Sequence, residues 1–165
     1  MIPAPAIAHP AAYPPGAVAI GDSVMLGALP QLEHDGITVD AAQDRAFIAG
    51  IDVAQNLRAD GGLRRTVIIH LGTNGPITTA LFNEMMDTLR GVPRVIFLTI
   101  KAPRPWEGEV NATLRASIRH WRQTHLLDWH RLASAHPAWL ADDGIHLTLS
   151  GARAYAALVV HALRH

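Results

Sequence analysis

Three short stretches hold residue types that could do chemistry together: Gly21-Asp22-Ser23, Gly72-Thr73-Asn74 and Asp143-Gly144-Ile145-His146. Ser23 follows the apolar run Ala17-Val18-Ala19-Ile20 and precedes a helical pattern. A hydroxyl at a strand-to-helix turn is presented outward, beside the unpaired N–H groups and positive dipole end of the helix. That setting suits a serine nucleophile whose attack produces an oxyanion. It equally suits a plain helix cap made by Ser23 or Asp22. Asn74 ends another apolar run and could donate its amide to a developing oxyanion, or serve only as a turn residue in Asn74-Gly75-Pro76. An Asp-Gly-x-His turn can bring Asp143 and His146 to one side of a loop. The aspartate would then hold the imidazole tautomer while the other ring nitrogen takes the serine proton. The plainer alternative is a surface turn that happens to contain one of ten histidines.

These residues need a frame that places them together. Apolar, β-branched runs predict strands at 17–20, 37–41, 66–71, 94–99 and 126–128. Helices are expected at 24–32, within 48–57, and at 78–89 and 110–123, with Ser150 capping a last one to about 163. Strands alternating with helices at this spacing imply βαβ units: a five-stranded parallel sheet with helices on both faces. In such sheets the ligand site lies beyond the carboxyl ends of the strands. That rule gathers Gly21-Asp22-Ser23, the stretch after Ala41, Gly72-Thr73-Asn74 and the loop after Thr99 on one rim.

Composition narrows the chemistry. A chain of 165 residues is one ordinary domain, long enough to bury a core without a disulfide or metal staple. Lysine plus arginine equals aspartate plus glutamate, 14 each, which argues against nucleic acid or an anionic membrane as partner. The absence of cysteine excludes disulfides, thiol catalysis and thiolate metal sites. No His-Glu-x-x-His cluster, phosphate-cradling glycine loop or dinucleotide fingerprint occurs, so neither a metal nor a cofactor is expected. No apolar run reaches the roughly 20 residues of a membrane helix, and no signal-peptide pattern is present. Residues 1–16 hold Pro3, Pro5, Pro10, Pro14 and Pro15 among alanines and read as a stiff linker or edge segment. The domain is expected over 17–165.

Taken in order, Gly21-Asp22-Ser23, Gly72-Thr73-Asn74 and Asp143-Gly144-Ile145-His146 closely resemble the blocks of the SGNH hydrolase superfamily. Within it the chain looks most like the extracytoplasmic catalytic domain fused to bacterial membrane acyltransferases of the peptidoglycan O-acetyltransferase type. His70 to Gly75, Pro103-Arg104-Pro105-Trp106-Glu107, Val110-Asn111, Leu127-Asp128-Trp129, His136-Pro137 and Trp139-Leu140 add to that likeness. The resemblance implies a flavodoxin-like three-layer sandwich and an acyl-enzyme mechanism without a cofactor. Ser23 would be the nucleophile, His146 the base and then the acid, and Asp143 the orienting carboxylate. The oxyanion would be held by the Ser23 and Asp44 main-chain N–H groups and the Asn74 amide.

The implied partners are an acyl donor and a carbohydrate or water acceptor, with a membrane acyltransferase domain absent from this chain. The implied setting is extracytoplasmic. A free-standing esterase on small esters, or a glycan-binding module without turnover, remain as alternatives. One block departs from the family pattern: Asp44-Arg45-Ala46 stands where Gly-Arg-Gln is usual. The Asp44 carboxylate is expected to turn away from the oxyanion, toward Arg45. Arg104 and Trp106 are expected either to flank an acyl or acceptor groove, or to pack the loop with Arg104 paired to Glu107 or Glu109.

Overall fold

The computed structural model describes residues 13 and 15–165. The linker expected over 1–16 therefore lies largely outside the described residues. Tyr13 packs beside the core and its hydroxyl donates to the Arg90 carbonyl at 3.2 Å.

Five strands form the sheet: β1 (Ala17–Gly21), β2 (Thr38–Ala41), β3 (Thr66–His70), β4 (Arg94–Leu98) and β5 (Thr124–Leu127). Their order is β2-β1-β3-β4-β5 and every pair is parallel, the flavodoxin-like arrangement. Alternate residues of each strand face opposite layers, which explains the unbroken apolar runs. Val18, Ile20, Val67, Ile69, Val95 and Phe97 join one core with helices α3 (Phe47–Ala59), α4 (Thr79–Thr88) and α5 (Glu107–Ser117). Ala17, Ala19, Ile68, Ile96 and Leu98 join the other. That second layer contains α1 (Ser23–Leu26), α2 (Leu29–His34), α6 (Trp129–Ala135) and α7 (Leu149–Arg164). The largest side chains of this layer, Trp129 and Tyr155, are fully buried in it and meet edge to face at 5.2 Å.

Four elements differ from expectation. The helix read at 24–32 is two helices, α1 and α2, because Pro30 has no N–H to donate back to Leu26. Helix α5 runs Glu107–Ser117 rather than 110–123, with Glu107 and Glu109 favouring the positive end of the helix dipole in its first turn and a 3-10 turn at Ile118–His120 closing it. Helix α6 is an addition; Asp128 caps it by accepting from the Arg131 N–H. The cap of α7 is Thr148, whose hydroxyl accepts from the Gly151 N–H, and not Ser150.

The sheet order reverses between β1 and β3, so the crevice at their carboxyl ends is the topological switch point. Ser23 leaves β1 and Asn74 leaves β3 at that crevice.

Candidate active site

The turn after β1 is set by one buried carboxylate. Asp22 is extended, its Oδ1 accepts from the Val24 N–H at 3.0 Å, and its own N–H donates to the His70 carbonyl at 3.2 Å. Asp22 is thus the cap of α1, which frees Ser23 from capping. Ser23 is the first helical residue and only 7% exposed, with its Oγ 3.1 Å from His146 Nε2.

His146 and Asp143 sit in a tight loop between the 137–139 turn and α7. It is closed by an antiparallel bridge between Leu140 and Leu147, by Ala141 N–H donating to the His146 carbonyl at 2.8 Å, and by a turn at Gly144 with φ +70°. Asp143 Oδ1 accepts from the Ile145 and His146 main-chain N–H groups at 2.8 and 3.0 Å. Its other oxygen, Oδ2, lies 2.6 Å from His146 Nδ1. The network assigns the proton to Nδ1, donating to Asp143, which leaves Nε2 bare to accept from the Ser23 hydroxyl. The bond from His146, helped by the two main-chain donors, lowers the Asp143 carboxyl to about 2.

The opposite wall comes from the loop after β2. The Arg45 guanidinium donates to the Gly21 carbonyl at 3.1 Å, the Asp40 carbonyl at 2.6 Å and Asp40 Oδ1 at 2.7 Å. It therefore ties the ends of β1 and β2 together. This corrects one expectation: Arg45 is engaged by Asp40, not by the Asp44 carboxylate. Asp44 is exposed and has φ +54°, the left-handed conformation that favours glycine and that aspartate tolerates better than most side chains. A glycine at this position would meet the same backbone demand. Asn74 Nδ2 donates to the Arg45 carbonyl at 3.3 Å, which joins the loops after β2 and β3 and leaves a second amide hydrogen for the site.

The Pro-Arg-Pro-Trp-Glu stretch is largely a brace. Trp106 is part-buried and its indole N–H donates to the Gly72 carbonyl at 3.1 Å, holding the loop that carries Asn74. Gly72 has φ +120°, and a Cβ there would lie 2.8 Å from Val110 Cγ1, so both backbone and space demand glycine. Arg104 is exposed with its guanidinium carbon 6.0 Å from the Trp106 ring centroid. It pairs with neither Glu107 nor Glu109. Glu107 instead accepts from the Ala102 N–H and meets His130 Nε2 at 3.0 Å and Lys101 Nζ at 3.5 Å. Asn111 clamps Ile100 from both sides, at 2.8 Å to its N–H and 2.9 Å to its carbonyl.

Two residues whose role is not legible in the sequence lie directly behind the turn: His70, the last residue of β3, and Tyr155 on α7. Burial lowers the His70 pKa from its ordinary 6.5, and the nearby Asp22 charge opposes that shift less strongly. The unfolded chain takes up a proton on this ring as pH falls through 6.5, and the folded chain does so only at lower pH. Stability therefore falls with pH below that point, by up to about 1.4 kcal/mol per pH unit. Urea unfolding at stepped pH is expected to show this slope, and His70→Asn to remove it. Asp143 acts in a lower window: its contribution is present above 3.8 and is lost as pH falls toward about 2.

No family model matches the chain. Peptidoglycan O-acetyltransferase OatA of Listeria monocytogenes is 32% identical over 148 residues, which are 88% of this chain and 24% of that protein. The chain spans about a quarter of the length of the curated relatives it matches. The solved OatA C-terminal catalytic domain of Streptococcus pneumoniae, a methylsulfonyl adduct, superposes with a TM-score of 0.82. It is 23% identical, and the match covers 92% of this chain and 94% of that one. A GDSL-like lipase of Bacteroides thetaiotaomicron gives 0.73 at 16% identity, over 90% of this chain and 87% of its own.

Proposed function

We propose that this chain, which has the SGNH hydrolase fold and is related in sequence to one segment of bacterial peptidoglycan O-acetyltransferases, transfers acetyl groups through an acyl-enzyme on Ser23. The observation that carries the reading is the continuous chain from Ser23 Oγ to His146 at 3.1 Å and from His146 to Asp143 at 2.6 Å. As Oγ attacks the acetyl carbonyl, its proton passes to His146 Nε2, and Asp143 stabilises the imidazolium that results. The Ser23 and Asp44 N–H groups and the Asn74 amide hold the oxyanion. Collapse breaks the bond to the donor oxygen, which leaves as an alcohol carrying the proton from His146. An acceptor hydroxyl then gives its proton to His146 and attacks the acetyl carbonyl; the bond to Ser23 Oγ breaks, His146 returns the proton to Oγ, and the new ester leaves.

The acceptor is a carbohydrate hydroxyl of the cell wall, which accords with the names of the relatives. Arg104 and Trp106, cation over indole on the loop after β4, form one edge of the acceptor groove. The setting is extracytoplasmic, with a membrane acyltransferase domain as donor partner. A second reading, an esterase using water, is favoured by the exposure of His146 and Asp143, whose side chains are 43% and 45% accessible. The assembled Ser23–His146–Asp143 chain speaks against a module that only binds glycans. Turnover of an aryl acetate with and without a chitooligosaccharide separates the two enzyme readings. Acetylated oligosaccharide marks a transferase, and acetate alone marks an esterase.

The oxyanion donors differ in what substitution should do. Asn74→Ala is expected to lower kcat for an aryl acetate by on the order of 10²–10³, the loss usual for one preorganised donor. Asp44→Gly keeps the main-chain donor and relieves a left-handed conformation, so its rate should stay within about tenfold of the parent. Steady-state kinetics on both variants checks this contrast.

A further inference from the structure

The buried polar pair behind the nucleophile links the two halves of the site. His70 is 1% exposed and Tyr155 fully enclosed, with His70 Nδ1 2.8 Å from the Tyr155 hydroxyl and the rings stacked at 5.4 Å. Burial holds the imidazole neutral and pushes the Tyr155 phenol up, so two uncharged groups meet here. The charge acting on both is Asp22, itself 0% exposed. Asp22 spends Oδ1 on the α1 cap, whereas Oδ2 and His70 Nε2 have no hydrogen-bond partner among the described residues. Buried polar atoms without a protein partner are rare and are commonly joined by an internal water. With Nδ1 taken by Tyr155, Nε2 is the nitrogen left to serve Asp22. A carboxylate nearby favours the tautomer with the proton on that nitrogen, so Tyr155 donates to Nδ1 and Nε2–H is left to reach Asp22 through one internal water.

The placement of Tyr155 matters as much as its bond. Helix α7 begins two residues after its cap-side neighbour Leu147, immediately beyond the loop that bears His146. Asp22 immediately precedes Ser23. A bond from α7 to β3 therefore fixes the segment carrying the base against the turn carrying the nucleophile. We propose that His70 and Tyr155 are positioning residues for Ser23, holding the Asp22 cap and the α7 docking that together set the Ser23–His146 distance. This rests on Ser23 being the nucleophile.

The test uses the whole chain and the variants Tyr155→Phe, His70→Asn and His70→Leu. Asparagine keeps a polar group at the Nδ1 position, and leucine does not. Competent sites are counted by titration with a serine-directed sulfonyl fluoride, and aryl-acetate kcat and KM are expressed per site. Tyr155→Phe and His70→Leu are expected to lose roughly tenfold in kcat per site, with KM within about twofold. His70→Asn should recover most of that loss. A purely structural pair would lower the melting temperature and the number of sites but leave kcat per site unchanged. That outcome in Tyr155→Phe overturns the inference, as does His70→Asn performing no better than His70→Leu. Should His70→Leu fail to fold, Tyr155→Phe alone decides, since it removes one oxygen from an intact ring. If the reagent fails to label Ser23 in the parent chain, the acyl-enzyme reading falls and takes this inference with it. Normal labelling with unchanged rates per site defeats this inference alone.

Discussion

Ser23→Ala is expected to reduce ester turnover by at least about 10³-fold while the melting temperature stays close to that of the parent. Among the described residues the hydroxyl makes one hydrogen bond, to a half-exposed imidazole, and the α1 cap belongs to Asp22. Losing it therefore costs chemistry and little stability. Helix propensity points the same way, because alanine at the first turn is at least as favourable as serine. A folded Ser23→Ala protein that keeps most of its turnover would exclude the serine mechanism outright.

Asp143→Asn should be nearly as severe, with a loss on the order of 10⁴ in kcat, for a reason the geometry makes specific. Asp143 Oδ2 accepts the His146 Nδ1 proton at 2.6 Å, which leaves Nε2 bare toward Ser23. An asparagine amide in that place donates to Nδ1 and drives the ring proton to Nε2. The ring then has no lone pair for the serine proton. The loop itself should survive, since an amide oxygen can still accept from the Ile145 and His146 N–H groups. Asp142→Asn is the control, expected to leave kcat within about twofold, because among the described residues the imidazole bonds to Asp143 and Ser23 and not to Asp142. The reverse pattern, a silent Asp143→Asn and a damaging Asp142→Asn, would mean that the acid is misassigned.

What could be read before folding was whatever is local. A strand buried on both faces is an unbroken apolar run, so β1, β3 and β4 were visible in Val18-Ala19-Ile20, Val67-Ile68-Ile69 and Val95-Ile96-Phe97. The Asp143–His146 pair was visible because both residues share one short turn. Ser23 was visible because a strand led into it and a helix led away. Helix boundaries were lost where a single side chain decides them: Pro30 dividing α1 from α2, Thr148 rather than Ser150 capping α7. Helix α6 was missed because its seven residues carry too short a pattern to show a period.

The supporting contacts were illegible for a different reason. Tyr155 and His70 are 85 positions apart, and Trp106 and Gly72 are 34 apart. Such pairs follow from the sheet order and from which helix covers which face, and no local spacing encodes them. The same holds for Arg45, whose partners are the ends of β1 and β2. From sequence, Arg104 and Trp106 fit a groove edge and loop packing equally well. Trp106 is in fact a latch on the loop of Asn74, while Arg104 lies exposed above its ring.

The most direct measurement is the covalent intermediate itself. The chain is mixed with an aryl acetate, quenched in acid during turnover, digested and mapped by mass spectrometry. One acetyl group on the peptide containing Ser23, absent from Ser23→Ala and chased away by fresh acceptor, is the expected result. Acetyl carried on another residue, or sustained turnover with Ser23 never acetylated, would contradict the acyl-enzyme account.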